Sequence, residues 1–360
     1  MSADRPSVVM LGPDLESHGG MASCASALLN GGLDKRCDVR YLATTEEGCK
    51  ARKATCGLRA LLAFSREAKD CDLVHVHFSY GVSMVRKALF VRRAKKMGKK
   101  VVLHSHSSAM ERAILEGDAK SRNEIARFLS LADALVVLSP KWKDLICGEL
   151  GIEPSIVHVI SNGVPLGDPN AKPDRDGGSC CNILFLGRLE EEKGVGTLIE
   201  AAGALVRDGA AVELVLAGSG SDEETQGYEL LARREGVNCS FEGWVDSEKK
   251  RELLAEADVF ALPSKREVLP MSLLEAMGAG VASVASDCGS VSEVIRHGRN
   301  GMLCEPGDPE SLRTCLASLV QDAALRKELA MRGFETVKEG YSIGSSVDAL
   351  LDLYSEVLHG

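Results

Sequence analysis

The chain has 360 residues, of which 45% are hydrophobic and 26% are charged, and its formal net charge is -9 at pH 7. This apolar content excludes a disordered protein, and the length favours two compact units over one small domain. No run approaches the roughly 18 apolar residues of a membrane-spanning helix, and residues 1–6 lack the pattern of a signal peptide, so we expect a cytoplasmic protein.

Short apolar runs alternate with amphipathic helical stretches along the whole chain. They predict strands at 7–11, 38–42, 73–77, 101–104, 134–138, 157–160, 182–186, 211–216, 237–241, 259–262, 281–285 and 302–304. The runs lack strict polar alternation, which is typical of parallel strands that helices cover on both faces. The repeated βαβ pattern predicts an α/β fold of two Rossmann-like, doubly wound parallel sheets.

Residues 162–178 separate the two blocks of strands and are rich in Pro, Gly and Asp, as linkers commonly are. The predicted segments are an N-terminal Rossmann-like domain at 1–165, a linker at 166–178, a C-terminal Rossmann-like domain at 179–342 and a helix at 343–360 that packs back on the domains. Two such domains are expected to face each other across a cleft, with the ligand at the carboxyl ends of the strands.

The charge is unevenly distributed along the chain. Residues 1–170 hold 24 basic and 19 acidic residues, whereas residues 171–360 hold 19 basic and 33 acidic ones. The two halves are therefore expected to have different electrostatic partners.

The basic excess of the first half is concentrated at 86–100, where eight of fifteen residues are basic. The spacing predicts a helix whose buried face is formed by Val82, Val85, Leu89, Phe90, Ala94 and Met97. Its positive face is either an ordinary solvated surface or a docking surface for an anionic membrane or a lipid-diphosphate acceptor. Nucleic acid is not expected as a partner, because the protein is acidic overall and aromatic residues do not interleave with the basic ones.

The twelve cysteines do not have the spacing of a disulfide framework or a zinc site. Cys180 and Cys181 form the one close pair, and the sequence contains no C-x-x-C motif. We therefore expect reduced, mostly buried thiols, as in a cytosolic protein.

Three motifs carry candidate chemistry, and the first is a pair of glycines. Gly19 and Gly20 follow the first predicted strand and open a predicted helix. Glycines at such a turn let backbone N–H groups approach a phosphate at the helix N-terminus. A plain tight turn is the alternative, because the spacing is not the G-x-G-x-x-G of a dinucleotide site.

The second motif combines two cations after the first strand of the second half. Arg188 follows that strand directly, and Lys193 comes five residues later, each beside a glycine. The forked guanidinium and the compact ammonium can converge on one anionic group. Solvated surface charge is the alternative interpretation.

The third motif is a pair of glutamates around a helix start at Pro270. A helix that begins there leaves the N–H groups of its first residues, Met271, Ser272 and Leu273, available to a phosphate. Glu267 precedes the helix.

The second glutamate of this motif, Glu275, lies about one turn inside the predicted helix and is flanked by apolar residues. A carboxylate in an apolar stretch needs a partner, and a ribose diol is one candidate. Alternatively, this glutamate is an ordinary solvent-exposed residue on the helix surface.

Together these motifs resemble the retaining glycosyltransferases of the GT-B fold, family 4. The resemblance covers nearly the whole chain and is carried by Gly19-Gly20, Asn162-Gly163, Gly187-Arg188 with Lys193, Ala217-Gly218-Ser219-Gly220, and Glu267 with Glu275. It implies transfer of a hexose-type sugar from a UDP- or GDP-type nucleotide sugar to a glycan or lipid-linked acceptor. It further implies retention of anomeric configuration, no cofactor and no bound metal.

The resemblance also implies roles for particular residues. Arg188 and Lys193 hold the donor diphosphate and stabilise the leaving charge, Glu267 bonds hydroxyls of the transferred sugar, and Glu275 holds the ribose. The remaining donor contacts are assigned to Gly19, Gly20, Gly218, Val245, Met271, Ser272 and Leu273. The family often has glycine where this chain has Val268, and this departure concerns the local loop shape and donor preference.

Histidines end one strand of the first half. His104 and His106 lie two apart, so their side chains share a strand face, and His75 and His77 repeat the spacing on another strand. The resemblance assigns His106, with His104, to the donor sugar, and the His-x-His form is similar to that of members that build exopolysaccharide or other surface glycans. A structural role and metal binding are the alternatives, although no carboxylate or cysteine accompanies these histidines in the sequence.

Two further hypotheses differ from a transferase acting at the inner membrane face. One is a nucleotide-sugar epimerase of similar fold, which needs no acceptor. The other is a non-catalytic nucleotide-sugar-binding partner of another transferase. The joint presence of Arg188, Lys193, Glu267 and Glu275 favours a transferase over either alternative.

Overall fold

The structure, a computed structural model, describes residues 5–169 and 180–360. These residues form two compact units. Unit 1 comprises the described residues of Met1–Gly163 together with Ile343–Gly360, and unit 2 comprises those of Val164–Ser342. Most of the predicted linker at 166–178 lies outside the described residues.

Unit 1 is built on a six-stranded parallel sheet with the order β2-β1-β3-β4-β5-β6. Its strands are β1 (Ser7–Gly12), β2 (Asp38–Ala43), β3 (Leu73–Phe78), β4 (Lys100–Ser105), β5 (Ala134–Val137) and β6 (Val157–Val159). The strands predicted for this half are confirmed. β3 is buried along its whole length, as expected for a central strand with helices on both faces.

Eight α-helices cover this sheet in the described part of unit 1. They are α1 (Gly20–Leu28), α2 (Asp34–Arg36), α3 (Lys50–Glu67), α4 (Val82–Lys96), α5 (Ser108–Leu115), α6 (Ala119–Leu129), α7 (Pro140–Leu150) and α15 (Ile343–His359). Local sequence fixes several ends: the Asp118 side chain accepts a hydrogen bond from the Ser121 N–H and caps α6, and Gly151 ends α7 in the left-handed conformation.

The C-terminal helix α15 packs into the core of unit 1. Leu350 and Tyr354 have no exposed surface, and the Ser346 hydroxyl donates to the Ser161 carbonyl at 2.9 Å. Its start lies against Gly31, where a Cβ atom would come within 2.4 Å of the Ile343 side chain. Residues from both ends of the chain therefore complete one hydrophobic core.

Unit 2 repeats the architecture with the strand order β12-β11-β10-β7-β8-β9. Its strands are β7 (Cys181–Leu186), β8 (Val212–Ala217), β9 (Asn238–Gly243), β10 (Val259–Leu262), β11 (Ala282–Ser286) and β12 (Met302–Cys304). All neighbouring strands in this order are parallel, and the predicted strands are confirmed within one or two residues. The predicted α/β fold of two doubly wound sheets is therefore present.

Seven α-helices belong to the described part of unit 2. They are α8 (Val195–Arg207), α9 (Asp222–Glu235), α10 (Ser247–Glu256), α11 (Met271–Gly278), α12 (Val291–Val294), α13 (Pro309–Gln321) and α14 (Ala323–Gly340). α9 begins with a capping box, in which Ser221 and Glu224 satisfy each other's backbone N–H groups.

The buried face of α4 differs from the prediction. Val82, Val85 and Leu89 were expected to be buried, but they are 80%, 67% and 52% exposed. The predicted burial of Phe90 and Ala94 is confirmed, and the helix also buries Met84, Lys87, Ala88 and Val91. At about 100° per residue the two sets occupy opposite sides of the helix, so this segment carries two apolar stripes, and packing on the sheet selects the one that includes a lysine.

The positive face of α4 is correspondingly smaller than predicted. Lys87 is only 1% exposed, and Lys99, just beyond the helix, donates to the Lys69 and Cys71 carbonyls at 2.8 and 2.7 Å. Lys95 is exposed but pairs with Asp133 at 2.8 Å. The exposed cations on the helix are Arg92, Arg93, Lys95 and Lys96.

The cysteines were predicted to be mostly buried, but only half of the twelve are. The buried ones are Cys24, Cys37, Cys71, Cys181, Cys304 and Cys315. None of the described helices combines the length and the apolarity needed to cross a bilayer.

Candidate functional site

In unit 2, the candidate residues lie in loops at one edge of the sheet. Because β7 and β10 are neighbouring parallel strands, the loops that follow them, 187–194 and 263–270, leave the same edge. The loop after β8 leaves this edge as well. This is the edge at which open α/β sheets bind ligands.

Gly218 brings the β7 and β8 loops into contact. A Cβ atom at this position would lie 1.6 Å from the Gly187 carbonyl oxygen, and the Gly218 N–H donates to the Gly243 carbonyl at 2.7 Å. Only glycine fits such an approach of two backbones. The structure therefore gives Gly218 a packing role that holds the strand end beside Arg188.

Arg188 is the most accessible of the predicted charged residues. Its side chain is 52% exposed, and its Nη1 atom lies 2.7 Å from Glu190 Oε1. A surface ion pair of this kind contributes little to stability, so the guanidinium can exchange its partner at little cost.

Lys193 lies at the end of a short 3-10 turn, Glu191–Lys193, which stops at Gly194 with φ of 72°. A Cβ atom on Gly194 would lie 2.0 Å from the Pro263 carbonyl, so the β7 loop touches the β10 loop here. Lys193 Nζ consequently reaches Glu267 Oε1 at 2.6 Å. These two residues are 74 positions apart, and the structure unites them in one ion pair.

Glu267 is largely withdrawn from solvent, with its side chain 11% exposed. The Ser264 hydroxyl donates to the same Oε1 atom at 2.9 Å. A buried carboxylate needs such partners, and here a cation and a hydroxyl supply them. Ser264, which is fully buried, was not identified from the sequence because a serine in a loop carries no distinguishing pattern.

Val268 does not require the conformation that favours glycine. No non-glycine residue in the described ranges has a positive φ, so the valine fits its loop without backbone strain. Its side chain is 7% exposed, and its carbonyl accepts from the Ser290 N–H at 2.9 Å. Gly289 makes this contact possible, because a Cβ atom there would lie 1.8 Å from the Glu267 carbonyl.

The helix α11 begins at the predicted position, with Pro270 as its N-cap residue and no side-chain cap. The N–H groups of its first three residues, Met271, Ser272 and Leu273, have no acceptor within the helix. Met271 and Leu273 are buried, whereas Ser272 is partly exposed. The positive end of this helix therefore lies directly after the loop that carries Glu267.

Glu275 pairs with a residue that the sequence analysis missed. Lys250 on α10 places its Nζ atom 2.5 Å from Glu275 Oε1, and both side chains are largely buried, at 25% and 13% exposure. Lys250 belongs to the run Lys249-Lys250-Arg251, which has the composition of ordinary surface charge. The partner that the apolar surroundings of Glu275 require is thus this lysine.

Val245 lies in the loop between β9 and α10 and is partly exposed. Its neighbour Trp244 is 41% exposed, and Asp246 caps α10 by accepting from the N–H groups of Glu248 and Lys249. The loop follows β9, so it leaves the same edge of the sheet as Arg188.

Four predicted residues belong to unit 1. Gly19, with φ of 138°, is the N-cap residue of α1, and Gly20 is its first residue. A Cβ atom on either glycine would meet nothing within 4 Å in the described structure, so neither is required by packing. His104 is buried on β4, and His106 follows that strand in a partly exposed position.

The histidines of β3 and the β4 end form one stack. The ring centroids of His75 and His77 are 4.5 Å apart, those of His104 and His106 are 4.3 Å apart, and those of His77 and His104 are 4.9 Å apart. Hydrogen-bond contacts join His75 Nε2 to His104 Nδ1 at 3.2 Å and His77 Nδ1 to His106 Nε2 at 2.9 Å. Tyr354 closes the stack through its hydroxyl on His75 Nδ1.

Burial keeps this stack uncharged. Desolvation lowers the pKa of His75 and of His106 to about 3, and it lowers the pKa of His77 and of His104 well below 6.5. All four imidazoles are therefore neutral at pH 7, with one donor and one acceptor nitrogen each.

Comparison with known proteins matches both halves of the chain to glycosyltransferase families. Residues 19–168 match the family described as Glycosyltransferase Family 4, and residues 182–336 match Glycosyl transferases group 1. A curated relative, the amylovoran biosynthesis glycosyltransferase AmsK of Erwinia amylovora, is 29% identical over 275 residues, which are 74% of this chain and 66% of that protein. The chain spans about two thirds or less of the length of the first curated relatives it matches.

Solved structures share the fold. The sucrose-phosphate synthase of Thermosynechococcus elongatus has a TM-score of 0.82 at 16% identity, covering 98% of this chain and 99% of that one. The Anabaena protein HepE, in complex with UDP-glucose, has a TM-score of 0.78 at 16% identity, covering 97% and 99%. With two parallel six-stranded sheets and both halves matched, this chain belongs to the family 4, group 1 glycosyltransferases of the GT-B fold.

Proposed function

We propose that the protein transfers a hexose-type sugar from a UDP- or GDP-type nucleotide sugar to a glycan or lipid-linked acceptor, with retention of anomeric configuration. The observation that carries this proposal is the Lys193–Glu267 ion pair, held at 2.6 Å beside the N-terminus of α11. It places a cation for a diphosphate and a carboxylate for sugar hydroxyls within one small region.

Binding a diphosphate requires a local positive field in an acidic half of the chain. Arg188 offers an accessible fork, Lys193 a point charge, and the first N–H groups of α11 a partial positive charge. When the bond from the sugar to the diphosphate breaks, negative charge grows on the leaving phosphate. Groups fixed in advance around that phosphate stabilise the transition state, and each is expected to contribute about a hundredfold or more to the rate.

Glu275 and Lys250 complete the donor site in this proposal. Glu275 sits about one turn inside α11 and is fixed by Lys250 at 2.5 Å, so its carboxylate is oriented without a ligand. A carboxylate can accept hydrogen bonds from both hydroxyls of a ribose diol. We assign this role to Glu275. The loop containing Val245 is assigned to the base.

The reaction exchanges one bond at the anomeric carbon. The bond to the diphosphate oxygen breaks, a bond to an acceptor hydroxyl oxygen forms on the same face, and the hydroxyl proton leaves with the nucleoside diphosphate. HepE, of the same fold, binds UDP-glucose, which supports a UDP-hexose as the first donor to test. Because protein cations can stabilise the leaving charge, we propose that transfer needs no metal, and activity should persist in EDTA.

The function is tested by combining donor binding with donor turnover. A nucleotide at 100 times its dissociation constant adds about 2.7 kcal/mol to the free energy of unfolding, so a thermal-shift screen of UDP, GDP and ADP with their sugar conjugates identifies the donor. Incubating that donor with cell-envelope lipid extract should give a new glycosylated product, and NMR should show the donor's anomeric configuration. If the donor is isomerised when no acceptor is added, the protein is an epimerase. If the donor binds but is not consumed, the protein is a non-catalytic partner of another transferase.

We also propose that unit 1 docks on the inner face of an anionic membrane. The exposed apolar residues Val82, Val85 and Leu89 of α4 lie on the helix that carries Arg92 and Arg93. An apolar stripe with neighbouring cations is the pattern of a helix that lies in the membrane interface.

The preceding helix adds to this surface. Leu58 and Leu62, one turn apart on α3, are 59% and 74% exposed. α3 and α4 contact each other near Gly57 and Arg86, where a Cβ atom on the glycine would lie 3.5 Å from the arginine side chain. Such a surface would bring the enzyme to a lipid-linked acceptor.

A further inference from the structure

Trp244 is an aromatic residue that unit 2 leaves in contact with solvent. It is 41% exposed, and of the Phe, Tyr and Trp residues that the structure describes it is the most exposed. Its neighbour Val245 is partly covered. An exposed indole offers a flat apolar face on which a planar ring of a ligand can stack.

The loop that carries Trp244 lies at the edge of the sheet where the donor residues lie. β9 ends at Gly243, whose carbonyl accepts the Gly218 N–H at 2.7 Å. In the strand order β10-β7-β8-β9, the loop after β9 is two strands away from the β7 loop that carries Arg188. Neighbouring strands are about 4.8 Å apart, so this separation is about 10 Å. A nucleotide with its diphosphate at Arg188 can therefore extend its nucleoside toward Trp244.

A second connection joins this loop to Glu275, the residue assigned to the ribose. Lys250 stands one turn inside α10, because its N–H donates to the Asp246 carbonyl at 2.9 Å. Its Nζ atom in turn lies 2.5 Å from Glu275 Oε1. Trp244 comes two residues before Asp246. The start of α10 thus links the indole to the carboxylate for the ribose, and the base is bonded directly to the ribose.

We propose that the Trp244 indole stacks on the base of the nucleotide sugar. This role rests on the proposed function, because it takes the diphosphate and the ribose to lie at the residues assigned to them there. Every base has a π-face, so stacking on an aromatic residue contributes to affinity without selecting one base. Trp244 therefore strengthens the binding of UDP and GDP alike and leaves the choice between them to hydrogen bonds at the edge of the base.

The backbone fixes this loop before a ligand binds. Gly243, at its start, has the left-handed φ of 66°, and a Cβ atom there would meet nothing within 4 Å. At its other end, the Asp246 side chain accepts from the N–H groups of Glu248 and Lys249. Because the loop is held at both ends, little conformational entropy is lost when a base stacks on the indole.

Tryptophan fluorescence tests this contact directly, since the chain has two tryptophans. Trp142 belongs to unit 1 and is 2% exposed, so a ligand bound to unit 2 should leave its emission unchanged. We expect UDP and GDP to quench the emission of the unsubstituted protein. Trp142→Phe should retain this quenching, and Trp244→Phe should remove it.

Calorimetric titration measures how much the indole contributes to affinity. Trp244→Ala should weaken the binding of UDP and GDP by about 5- to 150-fold. Trp244→Phe should recover most of that loss, because a phenyl ring also stacks on a base. Pyrophosphate has no base, so its affinity should be the same for all three proteins. The control is Leu230→Ala, which removes an exposed apolar side chain from α9 and should bind nucleotides normally.

The outcomes separate the stacking from the proposed function. If UDP or GDP binds without quenching, and Trp244→Ala binds it as tightly as the unsubstituted protein does, the stacking is overturned and the transferase assignment stands. An equal loss of affinity for pyrophosphate and UDP in Trp244→Ala also overturns the stacking, because that loss would come from a distorted loop. If no nucleotide binds to the unsubstituted protein, the proposed function fails together with the stacking.

Discussion

Lys193 and Glu267 come from loops after two neighbouring strands of unit 2 and form an ion pair of 2.6 Å that is largely shielded from solvent. Ser264 donates to the same carboxylate oxygen, so the carboxylate has one fixed position. Its second oxygen and the remaining lysine protons are the groups that a sugar and a phosphate can engage.

Removing the lysine of this pair tests whether the pair supports both fold and function. Lys193→Met leaves the Glu267 carboxylate with a neutral donor only, and we expect a loss of about 1–3 kcal/mol in the free energy of unfolding by urea denaturation. Transfer should fall by about 10²–10³ in kcat, because a cation at the leaving phosphate is lost. Lys265→Met is the control: its partner Glu191 is 86% exposed, and both quantities should stay nearly unchanged.

Arg188 allows function to be separated from stability. Its side chain is half exposed and paired only at the surface, so Arg188→Ala should change the free energy of unfolding by less than about 0.5 kcal/mol. We expect kcat/KM to fall by about 10² or more, and transfer to vanish when Lys193→Ala is added. Arg207→Ala, which breaks a comparable pair with Glu235, is the control. Near-normal transfer by the double variant would refute the assigned diphosphate site.

Charge reversal tests the proposed membrane surface of α4. The variant Arg92→Glu/Arg93→Glu should bind phosphatidylglycerol vesicles more weakly in a sedimentation assay, because each cation near an anionic surface contributes about 1 kcal/mol. Raising the salt concentration should weaken binding of the unsubstituted protein as well. Lys120→Glu/Arg127→Glu on α6 makes the same change in charge and should bind normally. Equal binding by all three proteins would leave α4 as an ordinary surface helix.

Two glycines in unit 2 should respond oppositely to alanine. Gly218→Ala places a Cβ atom 1.6 Å from the Gly187 carbonyl, so we expect a loss of about 2–3 kcal/mol in stability and reduced donor binding. Gly227 lies within α9, where a Cβ atom would meet nothing within 4 Å. Gly227→Ala should therefore raise the free energy of unfolding by about 0.5–1 kcal/mol. Thermal unfolding of both variants checks these signs.

Lys87 should make the stability of the protein depend on pH. Burial lowers its pKa well below 10.5 in the folded state, whereas in the unfolded chain it titrates near that value. Between the two pKa values the unfolded state binds more protons, so stability rises with pH, by at most about 1.4 kcal/mol per pH unit, until the pH passes 10.5.

Replacing this lysine by an apolar residue should remove that dependence. Lys87→Met should raise the free energy of unfolding at neutral pH by about 1–4 kcal/mol and flatten its rise toward alkaline pH. Lys96→Met, at an exposed position of the same helix, should do neither. Urea denaturation at neutral and alkaline pH compares the three proteins. An unchanged slope in Lys87→Met would show that this amine does not titrate as burial predicts.

Most strands were predictable because they are short, largely apolar runs bounded by polar residues, although β2, β3 and β9 contain charged or polar residues. The helix start at Pro270 was predictable for a similar local reason. The buried face of α4 was not, since two apolar stripes compete, and contacts with the sheet rather than composition decide between them. Lys250 was missed because its pairing with Glu275 depends on how two helices pack, which the lysine-rich run around it does not reveal.

The Lys193–Glu267 pair shows where prediction from sequence stops. Each residue was expected after a strand, and parallel strands place such residues at one edge. Their contact, however, depends on β7 and β10 being neighbours although β8 and β9 intervene in the chain. The contact between Tyr354 and His75 has the same character, because the C-terminal helix meets the histidines only through tertiary packing.

The position of Tyr354 in the core of unit 1 sets an order of events during synthesis. The ribosome delivers α15 only after the whole of unit 2, so unit 2 can fold while unit 1 still lacks a helix. Until that helix arrives, His75 has no hydroxyl partner and part of the apolar surface of unit 1 remains open. The nascent chain thus exposes unfinished core while translation continues, and a ribosome stalled within 343–360 would leave that surface exposed.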